Sequence, residues 1–144
     1  MDEIVLRPIG VVRNDFETHP TIGWDQVVSE LVLRRELAEA ADGLEGFSHI
    51  IVVFWMHKTA SQRVPLKQHP RGMATLPAVG PFACRSPLRP NPIGITVVKL
   101  LGRSGNKLTV KGLDALDGTP ILDIKPYLPR YNAPTGATEP DWVR

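Results

Sequence analysis

The loop between residues 84 and 94 concentrates the chemistry of this sequence. It reads CRSPLRPNPIG, which places Arg85 and Arg89 four residues apart among prolines at positions 87, 90 and 92. Guanidinium groups are forked donors that suit carboxylate or phosphate. Proline fixes φ and so lowers the entropy lost when a ligand orders the loop. The pattern predicts a preorganised anion-binding loop, and a stiffened crossover without a ligand is the alternative interpretation.

Two further motifs each allow two interpretations. The tetrapeptide DGTP, Asp117–Pro120, is typical of a hairpin turn, because Asp-Gly readily adopts positive φ. Alternatively, its backbone and the Asp117 carboxylate face a ligand amine or ammonium group. His57 and Lys58 follow an apolar run that predicts a buried strand. A histidine at such a strand end is either a packed side chain or a catalytic one.

The other histidines and the cysteine form no recognised catalytic or metal-binding pattern. His19, His49 and His69 are scattered, and the one cysteine, Cys84, leaves no ligand spacing for zinc. Because no Cys-His signature surrounds Cys84, we interpret it as a buried or bystander thiol. We therefore expect no metal, and the residues assign no catalytic nucleophile or base.

The charges of the chain are segregated. The net charge is only +2, yet no Asp or Glu occurs between Glu45 and Asp114, an interval that holds ten of the 17 Lys and Arg residues. A basic segment of this kind is the usual electrostatic footprint of an anionic partner, with nucleic acid first among the candidates. The alternative is that these bases lie on outer strand faces and pair with acids from elsewhere.

Length and composition indicate one soluble domain. A chain of 144 residues buries roughly two thirds of its unfolded surface, which is enough for one core. A single cysteine excludes an internal disulfide, and the start MDEIVLRPIG lacks the features of a signal peptide, so a cytoplasmic location is expected. The longest apolar run, residues 50–56, has strand length, far below the roughly 20 residues of a membrane-spanning helix.

Hydrophobic periodicity predicts a mainly β protein. Leu37, Ala41 and Leu44 share one helical face and Gly43 ends the run, which predicts one short helix. The unbroken apolar run 48–57 predicts a strand covered on both faces. Strands are expected at 3–12, where Pro8 favours an edge or a bulge, and at 29–34, 48–57, 94–101, 107–113 and 119–127.

These elements favour a small, closed or nearly closed β-barrel of six or seven strands with one short helix. No βαβ alternation is present, which argues against a parallel sheet. Neither a Rossmann glycine fingerprint nor a phosphate-cradling GxxxxGK loop occurs. We expect the barrel domain over residues 1–130 and an extended tail over residues 131–144, with Trp142 as a possible anchor.

Three motifs, in this order, carry a resemblance to a known family. GLEGFSHIIVVFWMHK, GPFACRSPLRPNPIGITVVKL and LDGTPILDIKPYLP are similar to the TsaA-like domain of the tRNA threonylcarbamoyladenosine N6-methyltransferases, the TrmO family. The resemblance extends over nearly the whole chain, from PIGVVR to KPYLP. It implies an S-adenosylmethionine-dependent methyltransferase built on a small β-barrel, neither Rossmann-like nor knotted, with the methyl donor bound near the interface of a homodimer.

The resemblance also implies site residues. The family's acceptor is N6 of a modified adenosine beside the tRNA anticodon, in a loop whose bases can splay out. For such a partner, we predict RNA contacts at Arg63, Arg71 and Arg89, which lie in the acid-free basic segment. The family's S-adenosylmethionine contacts fall here on His57, Lys58, Arg85, Ile95, Asp117, Gly118, Thr119 and Pro120.

Two features depart from the longer bacterial members. Their early loop carries a Pro-Arg-Gln contact to the methyl donor, whereas ETHPTIGWDQ here has no arginine. They also continue into a C-terminal domain beyond the KPYLP motif. These departures leave two alternatives to tRNA methylation: methyl transfer to a small molecule, and a noncatalytic module that binds S-adenosylmethionine or RNA.

Overall fold

The protein, described over residues 1–143 by a computed structural model, is a closed antiparallel β-barrel. The predicted small barrel is confirmed, with six strands rather than seven. Its strands are β1 (Gly10–Arg13), β2 (Val28–Leu33), β3 (His49–Trp55), β4 (Ile93–Ser104), β5 (Lys107–Lys111) and β6 (Pro120–Pro126). They follow one another around the barrel in the order β1-β2-β5-β4-β3-β6, and β6 closes against β1.

The apolar pattern of the sequence accounts for the interior. On β2, Leu31 and Leu33 point inward and are buried, while Val28 and Glu30 face outward. β3 is buried over most of its length and pairs with β4 on one side and β6 on the other. Ile50, Ile51 and Val52 are buried in succession, so both faces of this part of β3 are covered, as the unbroken apolar run predicted. The largest fully buried side chains include Leu31, Ile50, Leu108, Leu113 and Ile121.

The first strand is shorter than predicted. β1 begins at Gly10, whereas the alternation predicted a strand over residues 3–12. Pro8 cannot donate a backbone hydrogen bond, and the last ladder contact toward the N-terminus is from Ile9 N–H to the carbonyl of Ile121, at 2.8 Å. Residues 1–7 are exposed and pair with no strand of the described chain. The part of the predicted strand that covers residues 3–9 is therefore wrong, because the ladder of β6 with the N-terminal segment includes only Gly10 and Val11.

The connection between β2 and β3 is helical, but its turns are 3₁₀ rather than α. One runs over Arg35–Ala41 and another over Leu44–Gly46, with Gly43 between them at φ 95°. The predicted apolar face does point inward, because Ala41 is buried and Leu44 packs against the core. Runs this short gain few i→i+4 bonds, which favours the tighter turn. Elsewhere in the described chain, α1 is Pro129–Asn132 and 3₁₀ turns lie at Trp24–Gln26, Pro70–Gly72, Pro81–Ala83 and Asp141–Val143.

Neither a spanning helix nor a metal cluster is found in residues 1–143. None of their helices has the length and apolarity needed to cross a bilayer. Nor do those residues bring three or more His, Cys, Asp or Glu side chains together in a group that could hold a metal ion.

β4 changes partner halfway along its length. Residues 93–99 pair with β3, and residues 99–104 pair with β5. Because β5 ends opposite Lys99, the first half of β4 has a strand on one side only among the described residues. On the other side, Asp114 accepts a hydrogen bond from the Thr96 hydroxyl. Residues 112–118, which lead from β5 to β6, therefore border this gap in the wall.

Asn14 fixes the segment that borders the gap. Its side-chain amide donates to the carbonyl of Ala115 at 2.9 Å and to the hydroxyl of the buried Ser29 at 3.0 Å, and its carbonyl oxygen accepts from the Phe16 N–H at 2.9 Å. Its backbone N–H donates to the Asp117 carboxylate at 3.0 Å. One residue after β1 thus positions β2 and the β5–β6 connection.

We predict that Asn14→Ala destabilises the protein by about 2–4 kcal/mol, because three side-chain hydrogen bonds are lost and each contributes about 0.5–1.5 kcal/mol. Urea unfolding measures the change. Hydrogen exchange should also accelerate at the amides of Asp117 and Gly118. Asn14→Asp, which keeps the acceptor oxygen but cannot donate to Ala115, is the matched comparison. Unchanged exchange at these amides in Asn14→Ala would contradict the positioning role.

Candidate functional site

The connection from β3 to β4 carries most of the predicted site residues, and its arginine loop is braced from within. One guanidinium nitrogen of Arg89 donates to the carbonyls of Cys84, at 3.0 Å, and Ser86, at 3.2 Å. Arg89 is half-buried, whereas Arg85 is exposed. The two arginines therefore differ: one stabilises the loop conformation and the other presents its guanidinium to solvent.

Arg85 and Ile95, two of the predicted contacts to the methyl donor, line one cavity at the start of β4. Its volume is about 680 Å³, within the usual range of small-molecule sites. Arg89 lies in its wall, and Phe82, 84% exposed, forms part of its rim. The cavity combines cationic donors with apolar surface, and we call it the arginine cavity. Its lining also includes Thr96, Val97, Asp114, Tyr127 and Asn132.

A second cavity, of about 990 Å³, shares Arg85 with the first. Arg71 lines it in a left-handed backbone conformation, at φ 56°. The Arg71 guanidinium lies 3.5 Å from the carbonyl oxygen of Trp142, in the C-terminal segment. Arg71 and Arg85 therefore line the same cavity, and Trp142 of the C-terminal segment contributes to its wall.

The DGTP segment forms a turn whose polar groups are largely engaged. Gly118 has φ 82°, and the Thr119 N–H and hydroxyl both contact the carbonyl of Leu116, at 3.2 and 2.6 Å. Thr119 is buried. The Asp117 carboxylate accepts from Asn14 N–H and lies 3.9 Å from the Arg13 guanidinium. The segment is therefore a turn, but the predicted hairpin is wrong, because the turn leads from β5 to β6 and these strands are not neighbours in the barrel.

The predicted site residues fall into separate groups in a single chain. Arg85, Arg89 and Ile95 lie together, and Arg71 adjoins them. Pro120 lines a different cavity, of about 420 Å³, with Trp55 and Ile93. Of the residues described, those that line the arginine cavity do not include His57, Lys58, Arg63, Asp117, Gly118 or Thr119.

His57 directly follows β3 and has an unsatisfied polar atom. Its Nδ1 is buried and has no hydrogen-bond partner among the described residues. Burial lowers the pKa of His57, and the charge of Lys58 lowers it further. The ring is therefore neutral at pH 7 and holds a buried nitrogen that a ligand group could satisfy. Lys58 and Arg63 are exposed.

Sequence reasoning missed several residues that line the arginine cavity. Asp114 and Thr96 share a hydrogen bond beside Arg85 and Ile95. The signal for Asp114 was its place as the first acid after the acid-free interval. The signal for Thr96 was weak, since a threonine within an apolar strand is common.

We predict that His57 makes the folded state less stable as the pH falls. The unfolded chain takes up a proton near pH 6.5, while the folded chain resists protonation because the pKa is lowered. Stability is thus unaffected above this pH and decreases as the pH falls toward 5. Urea unfolding of His57→Gln should show a flatter stability profile over this range. His19→Gln, at an exposed histidine, is the control, and equal profiles for wild type and His57→Gln would contradict the prediction.

Comparisons with known proteins agree with the fold and the motifs. The model of the tRNA-methyltransferase O N-terminal domain matches residues 16–133. A protein from Methanothermobacter thermautotrophicus named "Probable S-adenosyl-L-methionine-binding protein" is 46% identical over 129 residues, covering 87% of this chain and 90% of that protein. An Archaeoglobus fulgidus protein named "S-adenosyl-L-methionine-binding protein" is 42% identical over 133 residues, covering 90% and 93%.

The crystal structure of TrmO from Pseudomonas aeruginosa superposes with a TM-score of 0.75 at 34% identity, covering 95% of this chain. The present chain spans only 62% of the length of that TrmO chain. The resemblance seen in the three motifs is confirmed by a family match over most of the barrel and by relatives of nearly equal length. The chain belongs to the tRNA-methyltransferase O N-terminal domain family.

Proposed function

We propose that the chain is an S-adenosylmethionine-dependent methyltransferase whose acceptor is N6 of threonylcarbamoyladenosine beside the anticodon of tRNA. Family membership and the names of the relatives support the reaction class. The observation that carries the proposal is the arginine cavity, where Arg85 and Ile95, two of the implied contacts to the methyl donor, meet at the start of β4.

The residues of the arginine cavity fit S-adenosylmethionine. The exposed Arg85 guanidinium suits a carboxylate, which it can bind with two parallel hydrogen bonds. Ile95 is 53% exposed and Phe82 is 84% exposed, so apolar surface is available to the flat adenine ring.

The chain contributes binding and orientation to the reaction. When bound, S-adenosylmethionine supplies a methyl group activated by its positively charged sulfur. Arg85 holds the carboxylate end, and the brace from Arg89 to the Cys84 carbonyl keeps the loop in one conformation. Holding an acceptor in line with the methyl group at near-attack distance contributes about 7–11 kcal/mol to lowering the barrier. A strongly basic side chain is then not essential to the bond-forming step.

A homodimer accounts for the separation of the implied contacts. Arg85 and Ile95 line the arginine cavity of a chain, while the segment Asp117–Thr119 does not. A second copy can supply the missing group if its DGTP turn lies over this cavity. The outer face of β4 supports such an interface, since Ile93, Ile95 and Val97 are 37%, 53% and 45% exposed.

We predict methyl transfer from labelled S-adenosylmethionine to tRNA that contains threonylcarbamoyladenosine. Arg85→Ala should lower donor affinity about tenfold or more, because hydrogen bonds to charged groups contribute about 1.5–3 kcal/mol. Calorimetry measures the affinity, and scintillation counting of recovered tRNA measures transfer. Arg35→Ala, at an exposed arginine outside both cavities, is the matched control and should behave as wild type.

The same assay separates the alternatives. No heat on titrating S-adenosylmethionine would refute the proposal as a whole. Saturable donor binding without methylated tRNA would refute the tRNA acceptor, and methyl transfer to a metabolite extract without added tRNA would then indicate a small-molecule acceptor. Donor binding without any methylated product would indicate a noncatalytic binding module.

A shared site between two copies predicts subunit complementation. Arg85→Ala and Asp117→Asn should each be strongly impaired alone when the donor concentration is near the wild-type Kd, because each removes one half of every site. Mixed dimers hold one intact site, so an equimolar mixture that exchanges subunits should recover up to about a quarter of the wild-type rate. Light scattering checks the dimer directly. No recovery, with subunit exchange demonstrated, would place both residues in the site of a single chain.

A further inference from the structure

A second, more polar groove adjoins the arginine cavity. Its volume is about 560 Å³, and it shares Thr96, Val97 and Asp114 with that cavity. The shared residues lie along the first half of β4, where the strand lacks a partner on its β5 side. A ligand in this groove would therefore border a methyl donor in the arginine cavity. We call it the Trp24 groove, lined in addition by Trp24, His49, Lys99 and Lys111.

The Trp24 groove contains two lysines that face each other on neighbouring strands. Lys99 of β4 is the register partner of Lys111 of β5 and also of His49 of β3. Like charges directly opposite each other destabilise a sheet. Among residues 1–143, neither ammonium group has a carboxylate within ion-pair distance. An anion between the two lysines would offset this repulsion.

Neither carboxylate of the groove, Asp25 or Asp114, lies within ion-pair distance of the two lysines among the described residues. Asp25 accepts a hydrogen bond from the side-chain amide of Gln26 at 3.0 Å. Asp114 accepts from the Thr96 hydroxyl, at the junction with the arginine cavity. Lys99 and Lys111 line the groove but not the arginine cavity, whereas Asp114 lines both.

Aromatic rings in the groove are held in place by other rings. Trp24 is half-buried and makes edge-to-face contacts with Phe16, at 6.4 Å between centroids, and with His19, at 5.5 Å. His49 packs in the same way against Tyr127, at 6.4 Å. A fixed ring that is part of a groove wall is a platform on which a nucleobase can stack.

We propose that the Trp24 groove binds one nucleotide of a single-stranded RNA acceptor. The base stacks on Trp24, its phosphate lies between Lys99 and Lys111, and Asp114 accepts a hydrogen bond from the exocyclic N–H of the base. This assignment rests on the proposed function, because it makes the groove the acceptor side of the same site. It differs from the RNA contacts predicted from the sequence, Arg63, Arg71 and Arg89.

The position of Asp114 gives the transferred proton a destination. In the reaction, the nitrogen lone pair of the acceptor forms a bond to the methyl carbon, and the electrons of the carbon–sulfur bond pass to sulfur, which becomes a neutral thioether. The N–H proton of the acceptor moves to a carboxylate oxygen of Asp114 and then to water. Among the described residues, Asp114 is the one acidic side chain that lines both the groove and the arginine cavity.

The groove is tested by RNA binding without the methyl donor, using fluorescence anisotropy of a labelled anticodon stem–loop RNA. Trp24→Ala should weaken binding about fivefold to 150-fold, the range of one lost base–aromatic stack. Trp24→Phe should restore most of the affinity. The double variant Lys99→Ala/Lys111→Ala should lower the slope of log Kd against log salt by about 1–2.

The matched control is Lys107→Ala. Lys107 lies on the same strand and face as Lys111, four residues or about 13 Å away, and outside the groove. Its RNA affinity should equal that of wild type. Donor binding by calorimetry should be unchanged in the Trp24 and lysine variants, because these residues do not line the arginine cavity. Asp114→Asn should bind RNA within about threefold of wild type but lose transfer, so that kcat falls while KM stays nearly constant.

The outcomes separate the groove from the proposed function. RNA affinity in the groove variants equal to that of Lys107→Ala, or no RNA binding by wild type, would overturn the groove. Loss of RNA affinity in the groove variants, together with no methyl transfer by wild type, would support the groove and refute the reaction. An unchanged kcat in Asp114→Asn would overturn the proton transfer to this carboxylate.

Discussion

The change of partner of β4 at Lys99 determines where this barrel can hold a site. Before Lys99 the strand pairs with β3, and after it with β5. A closed barrel leaves few strand edges, so the unpartnered side of residues 93–98 is an exception in the wall. The arginine cavity and the Trp24 groove both open along this stretch. The position of the candidate site thus follows from the lengths of β4 and β5 rather than from any one motif.

The segment of residues 112–118 covers the core beside this gap and places a carboxylate at the gap. Leu113 and Ala115 are 0% and 3% exposed and complete the core. Because successive side chains of an extended chain point to opposite sides, Asp114 between them faces outward, where it contacts Thr96. Asn14 holds the segment from below through the carbonyl of Ala115. The same alternation therefore buries Leu113 and Ala115 in the core and places the Asp114 carboxylate in the candidate site.

Local pattern was sufficient to predict the barrel class and the apolar strand β3, whereas the association of Arg85 with Ile95 was implied by the family resemblance rather than by pattern. Prediction from local pattern failed where the structure depends on a partner that is distant in sequence. Residues 3–9 alternate like a strand but find no partner beyond β6. The Trp24 groove was not predicted, because Trp24 and Lys111 are distant in sequence and meet only through the pairing of β2, β5 and β4.

The acid-free interval divides, in the structure, into cations with different roles. Arg103 follows the structural alternative, because its guanidinium binds Asp42 and Glu45, both at 2.8 Å. The hydrogen bond from Arg103 lowers the pKa of Glu45. The stability that this ion pair contributes is therefore present above the ordinary glutamate pKa and is lost as the pH falls through the lowered pKa of the folded protein. Arg89 braces its own loop. Lys99 and Lys111 lack such partners in the described chain and oppose each other in register. The charge pattern of the sequence therefore overstates the surface available to an anion. The pairing of Lys99 with Lys111 identifies one place in the sheet where a bound anion would reduce the repulsion between like charges.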